Sequence, residues 1–311
     1  MKKWLPFSLL FKFSVWSLSL IIIFQFSSCV KKGELGTVKN PIKLYFTPSV
    51  DAESISNNSD VFIKFLEKDT GLFFKTAIPA SYVAVVEAFG SKRADIGVMN
   101  SFGYLMANRK YGATAKLRVL RYGKDYYQGQ IITRIDSGIN SVKDLEGKKM
   151  AFTDPSSTSG YMFPLKIIKE NHIKLGNTIF AIKHDNVVTM VYQKQVDAGA
   201  TYYSAPKSDG TIRDARARVM TQFPDVAEKV KIIQITEKIP NDPFVFRKDL
   251  PPLIISKFIK SLKKFLTTPD GEAVFQHIYS VNGVVPAKDS DWDGLRKMIE
   301  SIDLDTSKLL K

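Results

Sequence analysis

Residues 154–160 read DPSSTSG: three hydroxyl side chains, Ser157, Thr158 and Ser159, between a proline turn and a glycine. An apolar stretch at helical spacing, Tyr161 to Ile168, follows at once. The first amides of a helix have no partner inside it, and the aligned peptide dipoles add partial positive charge there. A tetrahedral oxyanion can accept from those amides. Hydroxyls placed just ahead of them are donors that rotate toward the ligand. Gly160 would let the backbone approach closely. The plainer reading is a helix cap, for which one serine or threonine is enough. Spacing alone balances the two readings, and the FTDP turn out of a strand at 152–155 favours the anion.

Other chemistry is thinly represented. The three histidines, His172, His184 and His277, show neither HExxH nor i, i+4 pairing, so no zinc site is expected. The chain has no CxxC, no GxxxxGK[ST] phosphate loop and no GxGxxG after a strand. Ser159, His184 and Asp242 could be drawn as a Ser–His–Asp set, which makes a hydrolase the weakest of the readings because the GxSxG elbow is missing. The expectation is a binding protein with no cofactor, no metal and no catalytic residue.

The elements that must position these residues alternate along the chain. IKLYF at 42–46 reads as a strand, and SDVFIKFLEKDTG as a helix capped by Ser59 or Asp60 and stopped at Gly71. A short strand at 73–77, a helix at 81–90 and a strand at 94–100 follow. A second series starts with a strand at 129–135 and runs through the strand KMAF, the helix after the hydroxyl triplet, and a further strand, helix and strand to about residue 203. Such βαβ alternation implies mostly parallel sheets flanked by helices. Two series with a return to the first suggest two lobes joined by two crossings, near residues 120–128 and 230–242. Lobe 1 is expected over 41–126 plus 237–311, and lobe 2 over 127–236.

The chain has 311 residues, long enough for two cores, with 44% hydrophobic and 24% charged residues, as in ordinary globular proteins. Residues 1–28 differ: a basic start, a long apolar stretch and no acid, the pattern of an export signal. That stretch ends at Cys29, the lone cysteine. Phe26-Ser27-Ser28-Cys29 resembles a lipobox, with Phe26 in place of the usual leucine, so a lipoprotein signal peptide at 1–28 and lipidation at Cys29 are expected. A single transmembrane anchor is the rival, although Lys12 interrupts the apolar run. Either would hold a soluble domain outside the cytoplasm, in the periplasm or at the cell surface. Residues 29–40 read as a flexible, lipidated tether. The formal charge is +14, of which Lys2, Lys3 and Lys12 belong to the signal. No basic run is interleaved with aromatics, so nucleic acid is not an expected partner.

Five blocks together carry a family resemblance: FTPSVDAES (46–54), SYVAVVEAFGSKRADIGVMN (81–100), the long block 126–164, KHDNVVTMVYQKQVDAGAT (183–201) and DPFVFRKDL (242–250). The chain resembles the PhnD-like substrate-binding proteins of phosphonate-type ABC importers. The resemblance implies a two-lobed, hinge-closing periplasmic-binding fold of type II with the ligand between the lobes. By matching positions it implies that Tyr82, Tyr127, Ser157, Thr158, Ser159, His184 and Asp242 line the ligand site, with Tyr126 as the alternative to Tyr127. It further implies a small phosphorus oxyanion as ligand, and an ABC permease and its ATPase as partners. Family members that take aminoalkylphosphonates have a second carboxylate where this chain has Ser204, which points here to phosphate, phosphite or a small alkylphosphonate. Tyr202 and Tyr203 could narrow the pocket. Sensing, or surface interaction by the same domain, remains the alternative to transport.

Overall fold

The computed structural model describes residues 33–302. The expected signal segment 1–28 and lipidation site Cys29 lie outside the described residues. Among the described residues no helix is long and apolar enough to cross a membrane.

In chain order the elements are β1 (Ile42–Phe46), α1 (Ala52–Thr70), β2 (Phe74–Ala77), α2 (Tyr82–Gly90), β3 (Ile96–Val98), α3 (Ser101–Tyr111) and β4 (Thr114–Arg121). The second series is β5 (Tyr126–Arg134), β6 (Met150–Phe152), α4 (Phe163–Glu170), β7 (Thr178–Phe180), α5 (His184–Tyr192), β8 (Ala198–Tyr203), α6 (Val226–Lys229) and β9 (Val230–Pro240). The return comprises β10 (Pro243–Phe246), α7 (Pro252–Phe265), α8 (Pro269–Tyr279), β11 (Val281–Pro286) and α9 (Asp293–Ser301). Helix α1 starts a full two turns before Ser59. Asp51 caps it by accepting from the Ser54 amide at 3.1 Å, and Ile55 extends the buried stripe of Phe62 and Leu66 toward the N-terminus. The stretch between them is polar, and Ser59, fully buried there, is hydrophilic, so hydrophobicity alone hides the helical pattern.

Two sheets result, ordered β11-β4-β10-β3-β1-β2 and β7-β6-β8-β5-β9. Each is mixed. The cores β2-β1-β3 and β7-β6-β8 are parallel, as expected, but β10 runs against β3 and β4, and β5 runs against β8 and β9. The reason is topological. The parallel strands end toward the junction of the two sheets, so a strand that enters from the other sheet starts at the junction and runs away from it. Carboxyl ends of parallel strands are where ligands bind in open α/β sheets, and here those of both sheets converge.

Each sheet is covered on both faces. Beneath the first, Phe62 meets Phe258, Phe265 and Phe275 at ring separations of 6.1, 5.1 and 5.0 Å. On its other face α2, α3 and α9 bury Phe89, Phe102 and Trp292. The second sheet is sandwiched between Val187, Val188 and Val191 of α5 on one face and Leu145 and Ile168 on the other.

The tether reading fails from Gly33 onward. Leu35 packs against the first core, the Phe73 amide donates to the Gly36 carbonyl at 2.8 Å, and Asn40 Nδ2 donates to the Gly33 carbonyl at 2.8 Å. One apolar anchor and a left-handed glycine, Gly36 at φ 91°, are enough to fold this polar stretch onto the first sheet.

The chain passes from the first sheet to the second between Arg121 and Tyr126, and back between Pro240 and Pro243. These crossings are stitched together. The Asn241 amide donates to the Asp125 carbonyl at 2.9 Å, Asn241 Nδ2 donates to the Lys124 carbonyl at 2.8 Å, and Arg121 Nη1 donates to Asn241 Oδ1 at 3.0 Å.

Candidate functional site

The hydroxyl triplet opens a widened turn, Thr158–Met162, in which the Met162 amide reaches back five residues to the Ser157 carbonyl at 3.0 Å. Turns of this width recur at functional sites. The three hydroxyls do different jobs. Ser157 Oγ accepts from the Gly160 amide at 3.1 Å and is the cap of the plainer reading. Thr158 Oγ1 accepts from the Phe102 amide at 2.9 Å, and so bridges to the other lobe. Ser159 faces the space between the lobes, which Ser157 also lines. Among the described residues no acceptor is found for the Thr158 and Ser159 amides. Gly160 is needed for a different approach from the one expected: its Cα lies against Thr153, just after β6, not against open space for a ligand.

Helix α3 faces this turn from the first lobe. Asn100 caps it by accepting from the Gly103 amide at 3.0 Å, and its Nδ2 donates to the Ser156 carbonyl at 2.6 Å. The His184 amide donates to the Ser49 carbonyl at 3.3 Å, and Arg218 donates across to the carbonyls of His277 and Ile278 at 3.1 and 3.3 Å. The lobes are thus closed on each other by backbone groups at several points.

Between them lies a cavity of about 60 Å³, well above the volume that a single water needs. Tyr82, Tyr127, Ser157, Ser159, His184 and Asp242 line it; Thr158 does not. Tyr127 faces inward, whereas its neighbour Tyr126 faces out and lies under the Lys238 ammonium, 4.4 Å away, as strand alternation requires. The Tyr82 hydroxyl is buried and has no partner. Burial, with the nearby Asp154 carboxylate adding to it, pushes the Tyr82 phenol well above its usual range, so the group is a neutral donor. Ser204 lines the cavity as expected, and so does Tyr202, packed edge-on against His184 with ring centres 5.0 Å apart.

Among the lining residues not legible beforehand, two are charged: Arg121, the last residue of β4, and Arg218, on a short turn before α6. Arg121 Nη2 grips Asp242 Oδ2 at 2.6 Å, so the charge of Asp242 is compensated from within the protein. An arginine ending a strand just before a crossing was the one available hint; Arg218, within RDARAR at 213–218, carries no spacing signal at all.

No hydrogen bond joins Ser159, His184 and Asp242, so they do not form a triad. His184 Nδ1 lies 2.8 Å from Thr201 Oγ1 and 3.2 Å from Thr153 Oγ1, which leaves Nε2 for the cavity. Burial, reinforced by the Arg218 and Arg121 guanidiniums, lowers His184 to about 3. Below its ordinary value near 6.5 the unfolded chain gains a proton that the folded chain refuses. Acidification from pH 6.5 to 5 therefore costs about 2 kcal/mol of stability through this group. Urea unfolding of wild type and His184→Gln at pH 7 and 5 checks it: the variant loses less on acidification, and an equal loss in both rules the effect out.

A family model for the periplasmic substrate-binding proteins of phosphonate ABC transporters matches residues 44–292. The chain belongs to that family. It is a substrate-binding component, and not an enzyme. It is 27% identical over 283 residues to a phosphate-import PhnD protein of Mycolicibacterium smegmatis, covering 83% of this chain and 85% of the relative. It is 22% identical over 270 residues to the phosphonates-binding periplasmic protein of Escherichia coli, covering 84% and 77%. A PhnD structure from Prochlorococcus marinus in complex with methylphosphonate superposes with a TM-score of 0.72 at 14% identity, covering 84% of this chain and 98% of that one. A binding-protein component of a Pseudomonas aeruginosa phosphonate transporter gives 0.74 at 19%, covering 84% and 86%. The shared fold is the two-lobed periplasmic-binding fold of type II.

Proposed function

We propose that this family member is an extracytoplasmic lipoprotein, held to a membrane through lipidated Cys29, that captures a phosphorus oxyanion between its lobes. Phosphonate, phosphite and phosphate are the ligand class, and an ABC permease with its ATPase receives the cargo. Tyr82, Tyr127, Ser157, Ser159, His184 and Asp242 form the ligand shell, with Thr158 holding the lobes together beside it. The observation that carries this reading is the buried Tyr82 hydroxyl without a partner in the cavity wall. A buried donor left unmade costs about 1–3 kcal/mol, and an anionic acceptor in the cavity recovers it. The free amides of Thr158 and Ser159 and the two guanidiniums supply the same preference. Phosphate and methylphosphonate, the ligands named for two similar proteins, have the matching chemistry and size. Ligand held by both lobes stabilises the closed shape, which is what a permease can recognise.

Titration calorimetry of the purified full-length protein with phosphate, phosphite and methylphosphonate tests the reading. At least one gives saturable heat, and Tyr82→Phe weakens that ligand about 10- to 100-fold, as expected for losing one hydrogen bond to a charged group. Silence with all of them at millimolar concentration defeats the proposal.

A further inference from the structure

Three charged side chains line the cavity: Arg121, Arg218 and Asp242. Arg121 and Asp242 neutralise each other through Nη2 and Oδ2. Arg218 donates to the Tyr202 hydroxyl at 3.3 Å and to the two main-chain carbonyls of the other lobe. Among the described residues it has no carboxylate within ion-pair distance; Asp185 acts on it only from farther away. The cavity therefore carries about one surplus positive charge. It also holds an acceptor with nothing to accept. Asp242 Oδ1 is buried and has no partner, although Oδ2 is fully engaged. An anion whose oxygens are all bare would leave that lone pair unmade and set negative charge against it. An ammonium group would satisfy Oδ1, but at the cost of facing Arg218 and Arg121 together.

Building on the oxyanion reading, we infer that the cleft selects a phosphorus oxyanion that retains one proton. Its P–OH donates to Asp242 Oδ1, its charged oxygens take the donors of Tyr82, Ser159 and the Thr158–Ser159 amides, and Arg218 balances its charge. The device rejects two anions of similar shape or chemistry. Sulfate has no proton to give at neutral pH. Aminoalkylphosphonates bring a positive charge into a cavity that already has one too many. The groups facing Asp242 are Arg121, Arg218 and the phenols of Tyr82, Tyr127 and Tyr279, the last three pushed up chiefly by burial. His184 stays neutral, so the titrating partner between pH 6 and 9 is the ligand itself.

Calorimetry of the full-length protein with methylphosphonate, phosphate, 2-aminoethylphosphonate and sulfate tests this, with thermal melting at each pH to confirm folding. At pH 7 sulfate and 2-aminoethylphosphonate bind at least tenfold more weakly than the better of the first two. Above the second ionisation of methylphosphonate, which removes its last P–OH, the affinity for that ligand falls about tenfold per pH unit, whereas phosphate, which still keeps one proton there, holds its affinity to pH 9. Arg218→Gln narrows the ratio between that ligand and 2-aminoethylphosphonate at least fivefold, whereas Arg218→Lys keeps it. The ratio, unlike affinity alone, does not move if Arg218 serves only to hold the lobes together. Sulfate binding as tightly as phosphate, a methylphosphonate affinity that holds or rises to pH 9, or tighter binding of 2-aminoethylphosphonate overturns the inference and leaves the oxyanion reading standing. An unchanged ratio in a folded Arg218→Gln protein overturns the part assigned to Arg218; if that variant does not fold, the wild-type ratios and pH profile decide. No heat with any phosphorus compound removes both readings.

Discussion

Arg121→Ala is expected to cost about 3–5 kcal/mol of folding stability, the largest single-residue effect at the cleft. Side chains of Arg121 and Asp242 are only 12% and 17% exposed, and the ion pair between them measures 2.6 Å. Removing the guanidinium leaves the Asp242 carboxylate without a counter-charge where water is scarce. It also strips a donor from the Tyr279 carbonyl, contacted by Arg121 Nε at 2.8 Å, and one from Asn241 Oδ1. Arg121 opens the first crossing and Asn241 and Asp242 lie on the return crossing, so the loss loosens the junction of the lobes as well as the cavity. The double variant Arg121→Ala/Asp242→Ala is expected to regain part of the loss, because no orphaned charge remains. Urea unfolding of the four proteins in the cycle measures this. A single-variant loss under 1 kcal/mol, or a double variant no better than the single, would contradict the pairing.

Gly160→Ala is expected to lower stability by about 3 kcal/mol, at the upper end for overpacking, and to weaken ligand binding at least 100-fold. A Cβ at 160 would overlap the Thr153 hydroxyl and come 2.6 Å from Thr153 Cβ. Thr153 is fully buried just after β6 and cannot retreat, since its hydroxyl contacts His184 Nδ1 and the Ala200 carbonyl. The 158–162 turn must move instead, and it carries Ser159 and the two free amides. Thermal melting with calorimetry on the variant reads both consequences. Gly138→Ala, at another glycine, is the contrast: nothing lies within 4 Å of its added Cβ, so it should bind ligand like wild type despite some strain from φ 75°. Equal affinity in wild type and Gly160→Ala would show that the turn position does not matter to binding.

The sequence by itself determined the segment order, the two series of alternating strands and helices, and the chain's family. It also singled out the hydroxyl triplet, because Ser157, Thr158 and Ser159 occur within seven residues of one another and of a helix start. What it could not determine was which hydroxyl does what. Ser157 caps its own turn, a local event, but Thr158 accepts from Phe102, 56 residues away, and that partnership exists only once the lobes meet. Resemblance placed Asp242 in the ligand site and said nothing of a partner within the protein. Tertiary structure gave it Arg121, brought over from 121 residues earlier by the return of β10 beside β4. Arg218 was invisible for the same reason: charge balance in a cavity is a sum over groups from several elements, and no spacing along the chain records it. Local periodicity and capping are written within a few residues, whereas compensation of buried charge depends on which distant segments the fold places within a few ångströms.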